Sequence, residues 1–259
     1  MTQGTFVWYD QMSDDIRVSG KFYASVCNWT IGANTMNAQD YSILQIPGNP
    51  MGVGGLMPIP ADAKAMGARA TWMGYVSVDD VDAMAGKVAA AGGRVMKPAS
   101  DIPNVGRFAV VGDPDGAGFI LFKPNGTPPP GYVPPAQGTP GTIGWHELHS
   151  SDHERAMAFY SGLFGWKKDH AHDMGPMGIY QTFKIGETQG GGMMNKGPQT
   201  PKAHWLYYVN VPAADDAAAK VKAGGGTVLN GPMEVPGDLW TVQALDPQGA
   251  MFGLLAPKR

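Results

Sequence analysis

Cysteine is nearly missing from this chain. The single Cys27 among 259 residues rules out an intramolecular disulfide and a cysteine-built zinc cluster, and as a small hydrophobe it reads as core. Charge is sparse as well: 16% of positions are Asp, Glu, Lys or Arg, with a formal balance of −3. The signs are interspersed and form no basic block, which excludes the electrostatic footprint of a nucleic-acid binder. No apolar run approaches the ~18 residues that cross a bilayer. The opening "MTQGTFVWYDQMSDD" has neither the basic start nor the apolar middle of a secretory signal. These absences lead to the expectation of a cytoplasmic protein with no nucleic-acid and no membrane partner. A GxGxxG phosphate loop between a strand and a helix is missing too, and so is the zinc motif HExxH, because the histidine-rich stretch reads "GWHELHSSD".

What is present is hydrophobic content, 43% of 259 residues, enough to bury the core of one large or two ordinary domains. Sliding the sequence along itself shows an internal repeat. A shift of 137 residues lays Trp8 on Trp145, Asp15 on Asp152, Phe22-Tyr23 on Phe159-Tyr160, Trp29 on Trp166, and Gly54-Gly55-x-Met57 on Gly191-Gly192-x-Met194. A shift of 133 lays Trp72 on Trp205, Gly92-Gly93 on Gly225-Gly226, and Asp113-Pro114 on Asp246-Pro247. Two homologous halves follow, expected at residues 1–126 and 141–259. Residues 127–140, rich in Pro and Gly, read as an extended linker.

Within each half the pattern of alternating apolar runs and helix signals predicts two βαβββ units, an α+β plan repeated four times. In "SDHE", Ser151 and Glu154 have the spacing of a capping box. Gly92-Gly93 and Gly225-Gly226 suit left-handed helix ends, and "DPDG" (113–116) and "DPQG" (246–249) predict turns into each unit's last strand. The Phe-Tyr pairs of the helices read as core.

This combination of four βαβββ units, "SDHERAMAFYSGLFGW" after an opening strand, and a closing "DPDGAGFILFKP" resembles the vicinal oxygen chelate superfamily of glyoxalases, bleomycin-resistance proteins and extradiol dioxygenases. The likeness covers nearly the whole chain and extends to two-domain glyoxalase-like proteins. It implies two tandem domains, each an open sheet around a cavity, and in many members a divalent metal. The metal ligands that the resemblance implies would stand seven residues before the helix-start Asp and on the last strand. Those slots hold Trp8, Met73 and Ile120 in the first half, and Trp145, Leu206 and Gly253 in the second. None of these side chains is a ligand for a hard cation.

A different chemistry is offered on "GWHELHSSD". Strand alternation puts Trp145, Glu147 and His149 on one face, which the resemblance implies is the cavity face. A carboxylate and an imidazole there suit acid–base work, so Glu147 and His149 are the candidate catalytic pair. His204, at the start of the fourth unit, completes an alternative metal set of Glu147, His149 and His204. Trp8, Met73, Trp145 and Leu206 would line the cavities with apolar surface, with Tyr75, Tyr208, Asn210 and Trp240 adding hydrogen bonds or stacking. The first half offers Asp10 beside Met12. All six histidines lie in the second half, which is therefore the expected active one. His146 reads as a core histidine, and His170 and His172 as loop residues. The runs "GNPMGVGGLMP" and "GETQGGGMMNKGP" resemble glycine-rich loops around family cavities. The expected role is retention of a small, partly hydrophobic molecule, with or without metal-free acid–base chemistry, by a monomer or homodimer without a cofactor. The alternative is a metal-dependent lyase, isomerase or dioxygenase.

Overall fold

The computed structural model describes residues 3–32, 40–49, 51–198 and 200–259. The first half runs β1 (Phe6–Ser13), α1 (Ile16–Cys27), β2 (Thr30–Gly32), β3 (Ser42–Gln45), β4 (Gly52–Pro58), then a short α2 (Ala61–Ala65). Its second module is β5 (Thr71–Ser77), α3 (Val81–Ala90), β6 (Arg94–Ile102), β7 (Gly106–Gly112) and β8 (Gly118–Pro124). The second half repeats the plan. Its first module is β9 (Ile143–Ser150), α4 (His153–Phe164), β10 (Lys167–Asp173), β11 (Ile179–Ile185) and β12 (Thr188–Asn195). The last is β13 (His204–Asn210), α5 (Ala214–Ala223), β14 (Thr227–Val235), β15 (Leu239–Leu245) and β16 (Met251–Ala256). The four βαβββ modules are thus as the sequence predicts. They build two eight-stranded sheets of identical plan, in the orders β2-β3-β4-β1-β5-β8-β7-β6 and β10-β11-β12-β9-β13-β16-β15-β14.

Helix α4 shows how the sequence makes an element. Ala156, Met157, Phe159, Tyr160, Leu163 and Phe164 recur at helical spacing and are all buried. Each large side chain among them contributes about 1.5–3 kcal/mol of burial. The helix ends at Gly165, whose φ of 71° takes the left-handed cap. Its start corrects the expected capping box: Asp152, and not Ser151, is the N-cap, and its carboxylate accepts from the amides of Glu154 and Arg155. A carboxylate outcompetes the hydroxyl one residue earlier because it also meets the positive end of the helix dipole.

Packing groups the modules into two compact units. One comprises Met1–Val7, Gly74–Val133 and His146–Trp205, the other Trp8–Met73, Pro134–Trp145 and Leu206–Arg259. Each is tied by the same chain of buried polar groups. In the first unit, Trp205 Nε1 donates to Tyr160 Oη at 2.9 Å, and Tyr160 donates to Asp113 Oδ2 at 3.2 Å. In the second, Trp72 Nε1 donates to Tyr23 Oη at 2.8 Å, and Tyr23 donates to Asp246 Oδ2 at 3.1 Å. The other oxygen of each aspartate accepts two amides, one within its own DPxG turn and one from the residue that follows it. The turn aspartates therefore anchor helices of other modules, and burial holds both carboxyls above their ordinary range.

Two further expectations need correction. His170 and His172 lie on strand β10 and not in a loop. The glycine-rich runs form strands β4 and β12, although Pro50 of the first lies outside the described residues. Glycine is needed there for space. A Cβ at Gly191 would meet the backbone carbonyl of His146, and one at Gly54 that of Tyr9. At both positions the parallel partner strand lies too close for a Cβ.

Candidate functional site

Strand β9 carries the core of the site. Glu147 is 7% exposed, and both of its oxygens are engaged. Oε1 lies 2.8 Å from His149 Nε2, and Oε2 accepts from Tyr180 Oη at 2.9 Å. Tyr180 reaches Glu147 from β11, across β12, because the residue opposite Glu147 on β12 is Gly192. A Cβ there would strike the Tyr180 ring. With Glu147 ionised, Nε2 of His149 is the donor, which leaves Nδ1 as the nitrogen with the lone pair.

The His149 ring stacks on His204, with centroids 4.9 Å apart and an interplanar angle of 4°. His204 Nδ1 donates to the Lys202 carbonyl at 3.2 Å, so its Nε2 carries the lone pair, and that atom is buried without a hydrogen-bond partner. Burial, and then the neighbouring His149, hold His204 below the ordinary imidazole range. His146 points the other way. It stacks on Phe6 at 4.1 Å and donates from Nδ1 to the Gly190 carbonyl, and burial pushes it down to about 4.

This geometry does not accommodate the metal that the resemblance implies. A metal lies in the plane of an imidazole that binds it, and two parallel stacked rings have no in-plane point in common. Glu147, His149 and His204 as arranged do not converge on one cation, and among the described residues no group of three or more His, Cys, Asp or Glu does. The family's last-strand slot at Gly253 lies under the Tyr208 ring, which leaves no room for any side chain. The described residues, as arranged, do not fit a resident metal.

The first half holds a related constellation. Asp10, 1% exposed, accepts on Oδ1 from Tyr41 Oη at 2.7 Å and from Trp8 Nε1 at 3.1 Å. Trp8 Nε1 also lies 2.8 Å from Tyr41 Oη. Gly55 stands opposite Asp10, and a Cβ there would meet Tyr41. Burial, and then Asp10, hold the Tyr41 phenol well above its ordinary range.

The remaining candidates are dispersed. Tyr75 is buried edge-on against Phe122 at 5.5 Å, Met73 and Trp145 are half-buried, and Leu206 is wholly buried. Tyr208 Oη accepts from Gln243 Nε2 at 2.7 Å. Asn210 donates to Thr142 Oγ1 at 2.8 Å and packs against Gly144. Trp240 lies under the Arg259 guanidinium at 5.4 Å. Strand periodicity does not mark Tyr41 or Tyr180 as site residues. Their signal was the Gly-Gly pair shared by β4 and β12, where one glycine makes room for a neighbouring backbone and the other for a tyrosine ring.

Comparison with known proteins agrees with this architecture. The family model described as Glyoxalase/Bleomycin resistance protein/Dioxygenase superfamily matches residues 5–121 and again 142–254. CFP32 of Mycobacterium tuberculosis, which carries a provisional glyoxylase name, is 34% identical over 257 residues, covering 98% of this chain and 95% of that one. The anthracycline biosynthesis protein DnrV of Streptomyces peucetius is 28% identical over 265 residues, covering 97% of this chain and 93% of that one. Among solved structures, a Mn(II)-bound glyoxalase from Novosphingobium aromaticivorans aligns with a TM-score of 0.67 at 19% identity, covering 99% of this chain and 83% of that one. The 2,3-dioxygenase LapB from Pseudomonas sp. KL28 aligns at 0.64 and 15%, covering 99% and 93%. At these identities the structures attest the fold alone.

Proposed function

This chain belongs to the Glyoxalase/Bleomycin resistance protein/Dioxygenase superfamily, and from that membership we propose that its second half holds a small, partly hydrophobic molecule against His149. The proton chemistry of that ring then needs no resident metal. The observation that carries this reading is the double capture of Glu147 by His149 and Tyr180. A carboxylate engaged on both oxygens is an orienting group. It fixes the imidazole tautomer and stabilises the imidazolium formed when Nδ1 takes a proton. Glu147 is thus the positioning partner and His149 the group that meets the ligand. Tyr180 restrains the carboxylate.

The names of the relatives, a glyoxylase and anthracycline biosynthesis proteins, support a small-molecule role. Retention of a ligand without turnover would use the same contacts. A metal-dependent lyase, isomerase or dioxygenase would instead require His149 to leave both Glu147 and the His204 stack. The test is a thermal-shift screen of flat aromatic and carbonyl compounds, with and without added Mn2+, Fe2+, Ni2+ or Zn2+, followed by Glu147→Gln and His149→Ala. Loss of a charge-assisted hydrogen bond should weaken a hit roughly tenfold to a hundredfold in His149→Ala. Wild-type affinity and turnover in both variants would end the reading, and stabilisation that requires metal would replace it.

A further inference from the structure

The sheet register joins His149 to the far edge of its sheet. His149 lies directly opposite Met194, Met194 opposite Tyr180, and Tyr180 opposite His172. Residues directly opposite in register share a face, so these four side chains form one row across β9, β12, β11 and β10. The row spans three strand spacings, at most about 14 Å at the backbone. Its middle is the Tyr180 ring, which lies flat over Gly192 on its way to Glu147. Its far end is polar: the His170 and His172 rings have centroids 6.2 Å apart.

That far end is also built. Asp169 Oδ2 lies 3.1 Å from His170 Nδ1, and the carboxylate is itself held by Lys184 at 3.2 Å and Gln189 at 3.0 Å. Neighbours on a regular strand point to opposite faces. Here the β10–β11 register slips between Lys168 and Ala171, which lets Asp169 reach the ring of the next residue. An acceptor at Nδ1 fixes the His170 tautomer with its Nε2 outward.

We infer that this row is the bed of an elongated, planar ligand that lies on the Tyr180 ring and bears a hydroxyl or N–H group at each end. One end donates to His149 and the other to the His170–His172 pair, which sets ligand length. The inference rests on the proposed role of His149, and the experiment separates the two. The probes are trans-4,4′-dihydroxystilbene and trans-4-hydroxystilbene, of equal length but differing in the second hydroxyl, titrated into the full chain by calorimetry. The dihydroxy probe should bind roughly tenfold more tightly, the worth of one hydrogen bond that spares a buried group. In the double variant His170→Ala/His172→Ala that preference should vanish, the two probes then binding alike. Equal binding of the two probes by the wild-type chain, or a preference that survives the double variant, overturns the inference. In the latter case a loss of affinity in His149→Ala leaves the first reading standing, and no loss there removes both.

Discussion

Asp10 with Tyr41 and Glu147 with Tyr180 are the same device built twice. In each half a carboxylate on the opening strand is met by a tyrosine from a neighbouring segment, over a glycine on the strand between. The difference is the second group that meets the carboxylate. In the first half it is the Trp8 indole, which has no proton to exchange near neutrality. In the second it is His149, standing where the first half has Met12. The extra methylene of Glu147 helps the carboxylate reach both partners at once. The comparison teaches that duplication preserved the scaffold of the site while one side chain decided whether it can move a proton.

The largest expected way to break the equivalence is acid. His146 corresponds to Tyr9, and only an imidazole has its ordinary titration near neutrality. Burial pushes His146 from 6.5 to about 4, so between those values the unfolded chain binds a proton that the folded one refuses. Its contribution is complete above pH 6.5 and is lost as pH falls through that window. The loss is at most about 3 kcal/mol, trimmed because the residue is only half-buried. Asp113 and Asp246, with raised carboxyls, act with the opposite sign at the acid end. The measurement is therefore a difference: urea unfolding of wild type and His146→Phe from pH 7.5 to 4. Parallel curves would refute the assignment.

Next in size are the two glycines. Gly192→Ala should push Tyr180 off Glu147 and cost about 2 kcal/mol of stability, with a matching loss of ligand affinity. Gly55→Ala should cost a similar amount through Tyr41 and leave ligand affinity unchanged. Equal effects of the two on binding would mean that the first half also serves the ligand. The smallest effect belongs to the helix caps. Asp152→Ala and Asp15→Ala each remove a side chain that accepts first-turn amides, and each should lower stability by about 1 kcal/mol in chemical denaturation. A gap of more than about 1 kcal/mol between them would show that the repeats no longer share this feature.

Much of this was legible in the sequence. Glu147 and His149 are two residues apart on one strand, and a period of two suffices to bring them together. Tyr180 was not legible, because its contact crosses an intervening strand and depends on register. His170 and His172 looked like loop residues because an edge strand need not alternate apolar with polar. Ser151 looked like the cap because spacing alone does not rank a hydroxyl against the carboxylate beside it.

The sequence by itself determined the two homologous halves, the four modules, the turn glycines and the hydrophobic faces. Each of these follows from local periodicity and backbone preference, which act within a few residues. Only the tertiary structure decided that Asp113 anchors Tyr160, that Asp246 anchors Tyr23, and that Glu147 is held between His149 and Tyr180. Those pairings depend on which strands are neighbours and in what register. That choice is made by the packing of whole modules, and no stretch of a dozen residues carries it.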